Sequence, residues 1–110
     1  MPNDSVRLLQ GSVDVLILKT LSRGPLHGYG VSSWIRQQTA GVLGIEDAAL
    51  YQALHRLEAR GWIEAEWGIS ENNRRAKYYQ LTRTGRKHLR TETVSWRRYT
   101  EAVAKVLDFA

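Results

Sequence analysis

At 110 residues the chain is long enough for one domain with a modest core and too short for two independent domains of ordinary size. It has no cysteine, which excludes disulfides, thiolate chemistry and cysteine-based metal sites together. No stretch approaches the length of a membrane span, and Met1-Pro2-Asn3-Asp4-Ser5 lacks a basic region followed by an apolar run and a cleavage site, so a soluble, cytoplasmic protein without membrane contact is expected. Sixteen Lys and Arg against eleven Asp and Glu give a net charge of +5. These charges are unevenly spread: from Glu71 to Arg90 seven basic residues stand against one acid, a local +6, and the rest of the chain carries −1.

The first predicted helix lies within Leu8 to Leu21, with Ser12 as its N-cap and Val13, Leu16, Ile17 and Leu21 on one face. Val15 and Leu18 fall off that stripe, so the helix needs cover from more than one side, either from a second subunit or from its own chain wrapped around it. Arg23-Gly24-Pro25 ends it, because Pro25 disfavours a helical residue before it and Gly24 accepts a left-handed stop. Leu26-His27-Gly28-Tyr29-Gly30 enters a second helix that reaches about Gln38, with Val31, Trp34 or Ile35, and Gln38 on its buried side. His27 has no Asp, Glu or second His at ligand spacing beside it, and reads as a local hydrogen-bonding or packing residue at a turn.

Gly41-Val42-Leu43-Gly44-Ile45 is a loop with apolar plugs, after which Glu46 or Asp47 caps a third helix running to Arg60, an acid there suiting the helix dipole. Leu50, Ala53, Leu54 and Leu57 fall at i, i+3, i+4 and i+7 and make one apolar stripe, while Ala48, Gln52, His55 and Ala59 point away from it. Gly61 stops the helix. The run Trp62 to Gly68 alternates with period two, placing Ile63, Ala65 and Trp67 on one strand face and Glu64 and Glu66 on the other. Arg75 to Thr82 is the partner strand, rich in β formers, and the link through Asn72-Asn73 is a hairpin tip in which Asn tolerates positive φ. Helix, helix, helix, hairpin is the order of a winged helix. A small polar outer face on the third helix, beside a hairpin carrying arginines, suits a DNA groove. The local +6 is then a footprint for phosphates, with a merely solvated basic face as the plainer alternative.

Thr82 caps a last helix. Along it Leu89, Trp96 and Val103 recur every seven residues, with Tyr99 and Val106 interleaved and Leu107 widening the stripe, a short heptad seam. So small a domain has little chain to cover such a seam, which predicts a homodimer through this helix. Folding back onto the first helix is the alternative, and the two are compatible. The expected fold is mainly α with a small β-hairpin, a winged helix-turn-helix over 1–82 followed by a dimerisation helix over 83–110. A symmetric dimer matches a palindromic DNA site.

Four segments in this order and spacing resemble the PadR-like family of winged-helix transcriptional regulators, over nearly the full length. They are Leu26-His27-Gly28-Tyr29-Gly30; Leu50-Tyr51-x-Ala53-Leu54-His55-Arg56-Leu57-Glu58-x-x-Gly61-Trp62-Ile63; Arg74-Arg75-x-Lys77-Tyr78-Tyr79; and Leu81-Thr82-x-x-Gly85. The resemblance is to the short form with a single C-terminal helix, and it implies a dimeric DNA-binding repressor. Where such proteins usually carry Gly, then Ser or Thr, before Leu-Tyr and Pro after it, this chain has Ala48, Ala49 and Gln52. Ala49 lacks a hydroxyl that could meet a phosphate, whereas the Gln52 amide can pair with an adenine edge.

The residues expected to meet DNA are therefore Gln52, His55 and Tyr51 in the major groove, and Arg56, Arg74, Arg75 and Lys77 at phosphates or the minor groove. Tyr51 could instead pack locally, and Arg56 could pair with Glu46, Asp47 or Glu58. Two alternatives to a homodimeric repressor fit the same residues. One is a sensor in which Trp96 offers an aromatic plate to a small aromatic effector at the dimer interface; the other is a winged-helix adaptor that binds protein and no DNA. An enzyme is not expected: His27, His55 and His88 fall on different elements, no nucleophile sits beside a base, and no Gly-rich phosphate loop follows a strand. No cofactor or metal is expected.

Overall fold

The third predicted helix forms as its stripe dictates. In this computed structural model, which describes residues 8–110 apart from Gln10, it spans Asp47–Ala59 and buries Leu50, Ala53, Leu54 and Leu57. Around it lie α1 (Ser12–Leu21), a two-residue strand β1 (Leu26–His27) and α2 (Gly28–Gln38); the third helix is α3, followed by β2 (Ile63–Ile69), β3 (Arg75–Leu81) and α4 (Arg83–Leu107). The core joins Ile17, Leu18 and Leu21 of α1 to Val31 and Ile35 of α2, Ile45 of the loop, the α3 stripe, Ile63, Tyr79 and Leu81 of the hairpin, and Leu89 of α4. Among the described residues no buried side-chain nitrogen or oxygen lacks a hydrogen-bond partner; the buried Thr20 hydroxyl, for example, donates to the Leu16 carbonyl at 2.7 Å.

Chain ends of the helices follow from local chemistry. The Gly61 N–H reaches the Glu58 carbonyl at 3.0 Å and the Trp62 N–H the Leu57 carbonyl at 3.1 Å, with Gly61 at φ 78°. That is a Schellman stop, which turns α3 straight into β2. The His27 ring caps α2 by accepting from the Gly30 N–H at 3.0 Å, and the Thr82 hydroxyl caps α4 by accepting from the Gly85 N–H at 3.0 Å.

The sheet is antiparallel in the order β1-β3-β2. β2 and β3 pair from Ile63 opposite Leu81 to Ile69 opposite Arg75, and β1 adds Leu26 opposite Tyr79 and His27 opposite Tyr78. At the tip Asn73 takes φ 58°, and its N–H donates to the Ser70 carbonyl at 2.9 Å.

Several expectations need correcting. The inward face of α1 is Ile17, Leu18, Thr20 and Leu21, whereas Val13 and Leu16 are only half-buried; this helix is covered from several sides, so no single stripe marks its interior. Gly11, not Ser12, occupies the N-cap of α1, and Ser12 donates to the Leu9 carbonyl instead. Gln38 is exposed, the buried face of α2 being Gly28, Val31, Ser32 and Ile35. Glu46 sits at the N-cap of α3 but makes no side-chain cap bond. Trp67 shares the inner face of β2 as the alternation requires, yet it is 57% exposed because the hairpin outruns the body there. β1, too short to show any period, was not foreseen.

Candidate nucleic-acid interface

Burial of the α3 stripe forces the opposite side of that helix outward. Ala48, Ala49, Tyr51, Gln52 and His55 are all exposed along it. The hairpin stands beside this face as a wing. Between them lies an open hollow of about 510 Å³, lined by His27, Gly28 and Tyr29 at the start of α2, Tyr51 of α3, and Trp67, Ser70, Arg74, Arg75 and Lys77 of the wing among others. The fold thus brings Tyr51, Arg74, Arg75 and Lys77 to one concave surface.

The side chains there are not equally free. Tyr51 is half exposed, but its hydroxyl end lies against Gly28, where an added Cβ would come within 2.8 Å of the phenol oxygen. Only glycine at position 28 allows that approach. Arg56 is bound to Asp14 of α1, with its Nε 3.4 Å from Oδ2 and its Nη2 in contact with Oδ1. The hydrogen bond to Asp14 raises the Arg56 pKa above its ordinary value, against a smaller opposing effect of desolvation and with help from the Asp14 charge. None of the sequence-expected partners, Glu46, Asp47 or Glu58, takes this role. Glu58 instead receives Lys77, Nζ to Oε1 at 3.3 Å. Among the described residues Arg74 and Arg75 have no carboxylate within ion-pair distance, so these two are the cations that the wing presents unspent.

The basic run is divided by the fold. Arg74 and Arg75 stand at the wing tip where β3 begins and Lys77 lies within that strand, whereas Arg83, Arg86, Lys87 and Arg90 follow its far end, roughly 20 Å away, into α4. The +6 segment is therefore two positive zones, of which only the first adjoins the α3 face.

The wing is also tied to the body. His27 uses Nδ1 for the α2 cap, so its neutral ring carries the proton on Nε2, which faces Glu71 Oε1 at 3.4 Å. Its ring stands 5.3 Å from that of Tyr78, and the Tyr78 hydroxyl donates to the Ile69 carbonyl at 3.1 Å. His27 is thus the local hydrogen-bonding residue expected at that turn, with the added reach to Glu71 that came from pairing β1 onto β3. Tyr29, 74% exposed at the rim of the hollow, was missed: an aromatic beside an apolar stripe gives no signal of which way it points.

Along α4 the heptad positions divide. Leu89 is 8% exposed and belongs to the chain's own core, with Val15 and Leu16 packed against that core beside it. Trp96 is half-buried, and its ring meets that of Tyr99 edge to face at 5.7 Å. Tyr99, Val103, Val106 and Leu107 are exposed, the last two at 75% and 76%. Leu9, Ser95, Trp96 and Tyr99 surround a second hollow of about 440 Å³. No helix among the described residues is long and apolar enough to cross a membrane.

Three helices, a wing with arginines and a long apolar-edged fourth helix make up a winged helix-turn-helix fold. The profile of the transcriptional regulator PadR-like family matches residues 17–91, and the chain belongs to that family, whose members regulate transcription and are not enzymes. It is similar to a transcriptional regulator from Clostridium thermocellum, 33% identical, over 87% of this chain and 90% of that one with a TM-score of 0.79. A PadR family transcription regulator from Clostridium difficile is 26% identical, over 88% and 99% of the two chains with a TM-score of 0.76. Bacillus subtilis PadR, solved in complex with operator DNA, shares the fold at 24% identity and a TM-score of 0.67, over 74% of this chain and 46% of that one.

Proposed function

We propose that this protein is a sequence-specific DNA-binding regulator, acting in the cytoplasm as a homodimeric repressor on a palindromic operator. The observation that carries this is the concave surface that Tyr51 of α3 shares with the wing, where Arg74 and Arg75 are free of carboxylates among the described residues, with Gln52 and His55 exposed on α3 outside that hollow. In this arrangement α3 enters the major groove, Gln52 offering a bidentate amide to an adenine edge and His55 a ring nitrogen to a neighbouring base. Arg74 and Arg75 meet the phosphates or the adjacent minor groove. Lys77 and Arg56 contribute only after leaving Glu58 and Asp14. The exposed half of α4, with Tyr99, Val103, Val106 and Leu107, forms the dimer contact around Trp96. Operator binding by B. subtilis PadR is consistent with this assignment at the level of the shared fold.

Selection of bound duplexes from a random DNA pool tests it. Enrichment of a palindrome with two half-sites supports the dimeric reader, and Gln52→Ala should relax base preference within the half-site. Absence of any enrichment, together with no binding at low salt, would point to a protein-only adaptor.

A second function is favoured by the Trp96–Tyr99 hollow: binding of a flat aromatic effector that shifts DNA affinity. Titration with aromatic compounds, followed by tryptophan fluorescence, should give a saturable change that Trp96→Phe abolishes. The control is needed because the chain has four Trp residues.

A further inference from the structure

Trp67 is placed where no core needs it. It lies on the inner face of the wing opposite Lys77, 57% exposed, on the rim of the hollow shared with Tyr51. One side chain covers its ring: the Arg75 guanidinium carbon stands 4.4 Å from the ring centroid. The register explains the meeting, because Arg75 pairs with Ile69 and therefore sits diagonally from Trp67 on the same sheet face.

Stacking and ion pairing leave an arginine in different states. A carboxylate consumes guanidinium N–H donors, as Asp14 does for Arg56. An aromatic face holds the group through its π surface and leaves the in-plane N–H donors open. A free arginine must also lose rotamer freedom when it binds, a cost that is avoided when the side chain is already held in place.

We propose that Trp67 is a positioning residue for DNA binding: its indole holds the Arg75 guanidinium against the wing with its donor edge free for the anionic wall of a DNA groove. This rests on the wing being a DNA-contacting element. Trp67 then contributes to affinity only through Arg75, and any flat aromatic at this position performs the same task.

A double-mutant cycle measures this, using the full chain and a fluorescently labelled duplex of mixed sequence at low salt, so that no operator need be known. Circular dichroism checks folding, which an exposed site of this kind leaves intact. Trp67→Leu should weaken binding by about three- to tenfold in the otherwise unchanged protein, by less than about twofold in the Arg75→Ala background, and Trp67→Phe should restore most of the loss. An equal effect of Trp67→Leu in both backgrounds, or none in the unchanged protein while Arg75→Ala weakens binding, overturns the positioning role alone. Binding unaffected by Arg75→Ala overturns the Arg75 contact itself, and the positioning role with it.

Discussion

Arg56 of α3 is clasped by Asp14 of α1, through its Nε at 3.4 Å and its Nη2. The pair is partly open to solvent, with the Arg56 side chain 42% exposed and that of Asp14 22%. It ties the exposed-face helix to the helix behind it and masks a cation next to the proposed DNA-binding surface. Asp14→Asn should cost about 0.5 kcal/mol or less in urea unfolding, since such pairs are screened by water. The same change should raise affinity for any duplex, with a salt slope steeper by up to about 1 per protomer as Arg56 becomes free. Anisotropy titrations across a salt series would reveal it, and an unchanged slope would mean that Arg56 is out of reach of DNA.

Gly85 lies against the backbone of Trp62. An added Cβ would overlap the Trp62 carbonyl oxygen and crowd Leu81, at the junction where the Thr82 hydroxyl donates to the Gly61 carbonyl at 2.7 Å. Neither backbone can yield cheaply, so Gly85→Ala should lose about 3 kcal/mol by chemical denaturation. Thr84→Ala, an exposed change in the same turn, should stay within about 0.5 kcal/mol. Similar values for the two would remove the packing account of this glycine.

Burial raises the Tyr79 pKa above the ordinary tyrosine value, with the charge of Lys77 opposing and those of Glu58 and Tyr51 adding. A buried neutral phenol contributes stability that is complete below the unfolded value of about 10 and is lost as pH rises through the raised folded value, because the unfolded chain releases that proton first. Tyr79→Phe should flatten the alkaline limb of the stability profile above about pH 10. An alkaline loss identical in the two proteins would assign that limb to other groups.

The proposed dimer contact uses the far half of α4. Val106→Lys with Leu107→Lys changes two side chains about three-quarters exposed in the protomer, so the fold of the monomer should persist while sedimentation shows the loss of a dimer. The thermal midpoint should also stop depending on protein concentration. A double variant that sediments as the parent does would place the interface elsewhere.

What could be read in advance follows how many sides of each element are buried. α3 faces one core, so its 3.6-residue stripe named all four buried residues. α1 is covered from several sides, and for that reason Leu18, wholly buried, falls off the stripe. The seven-residue spacing on α4 is continuous, yet it serves two surfaces: Leu89 closes the chain's own core and Val106 and Leu107 face outward. Spacing alone does not say where one surface ends and the other begins. The candidate site was legible as a set of elements and less so as a set of states. Arg56, Lys77 and Arg75 look alike in sequence, and only long-range packing gives the first two a carboxylate and only the hairpin register gives the third an indole.

The most direct measurement is the salt dependence of duplex binding by the parent chain and by a variant carrying Arg74→Ala and Arg75→Ala together. Loss of both wing cations should weaken binding to all sequences and lower the slope of log affinity against log salt by about 2 per protomer. Parent-like affinity and slope in that variant would contradict the assignment of the α3–wing surface as the DNA-binding face.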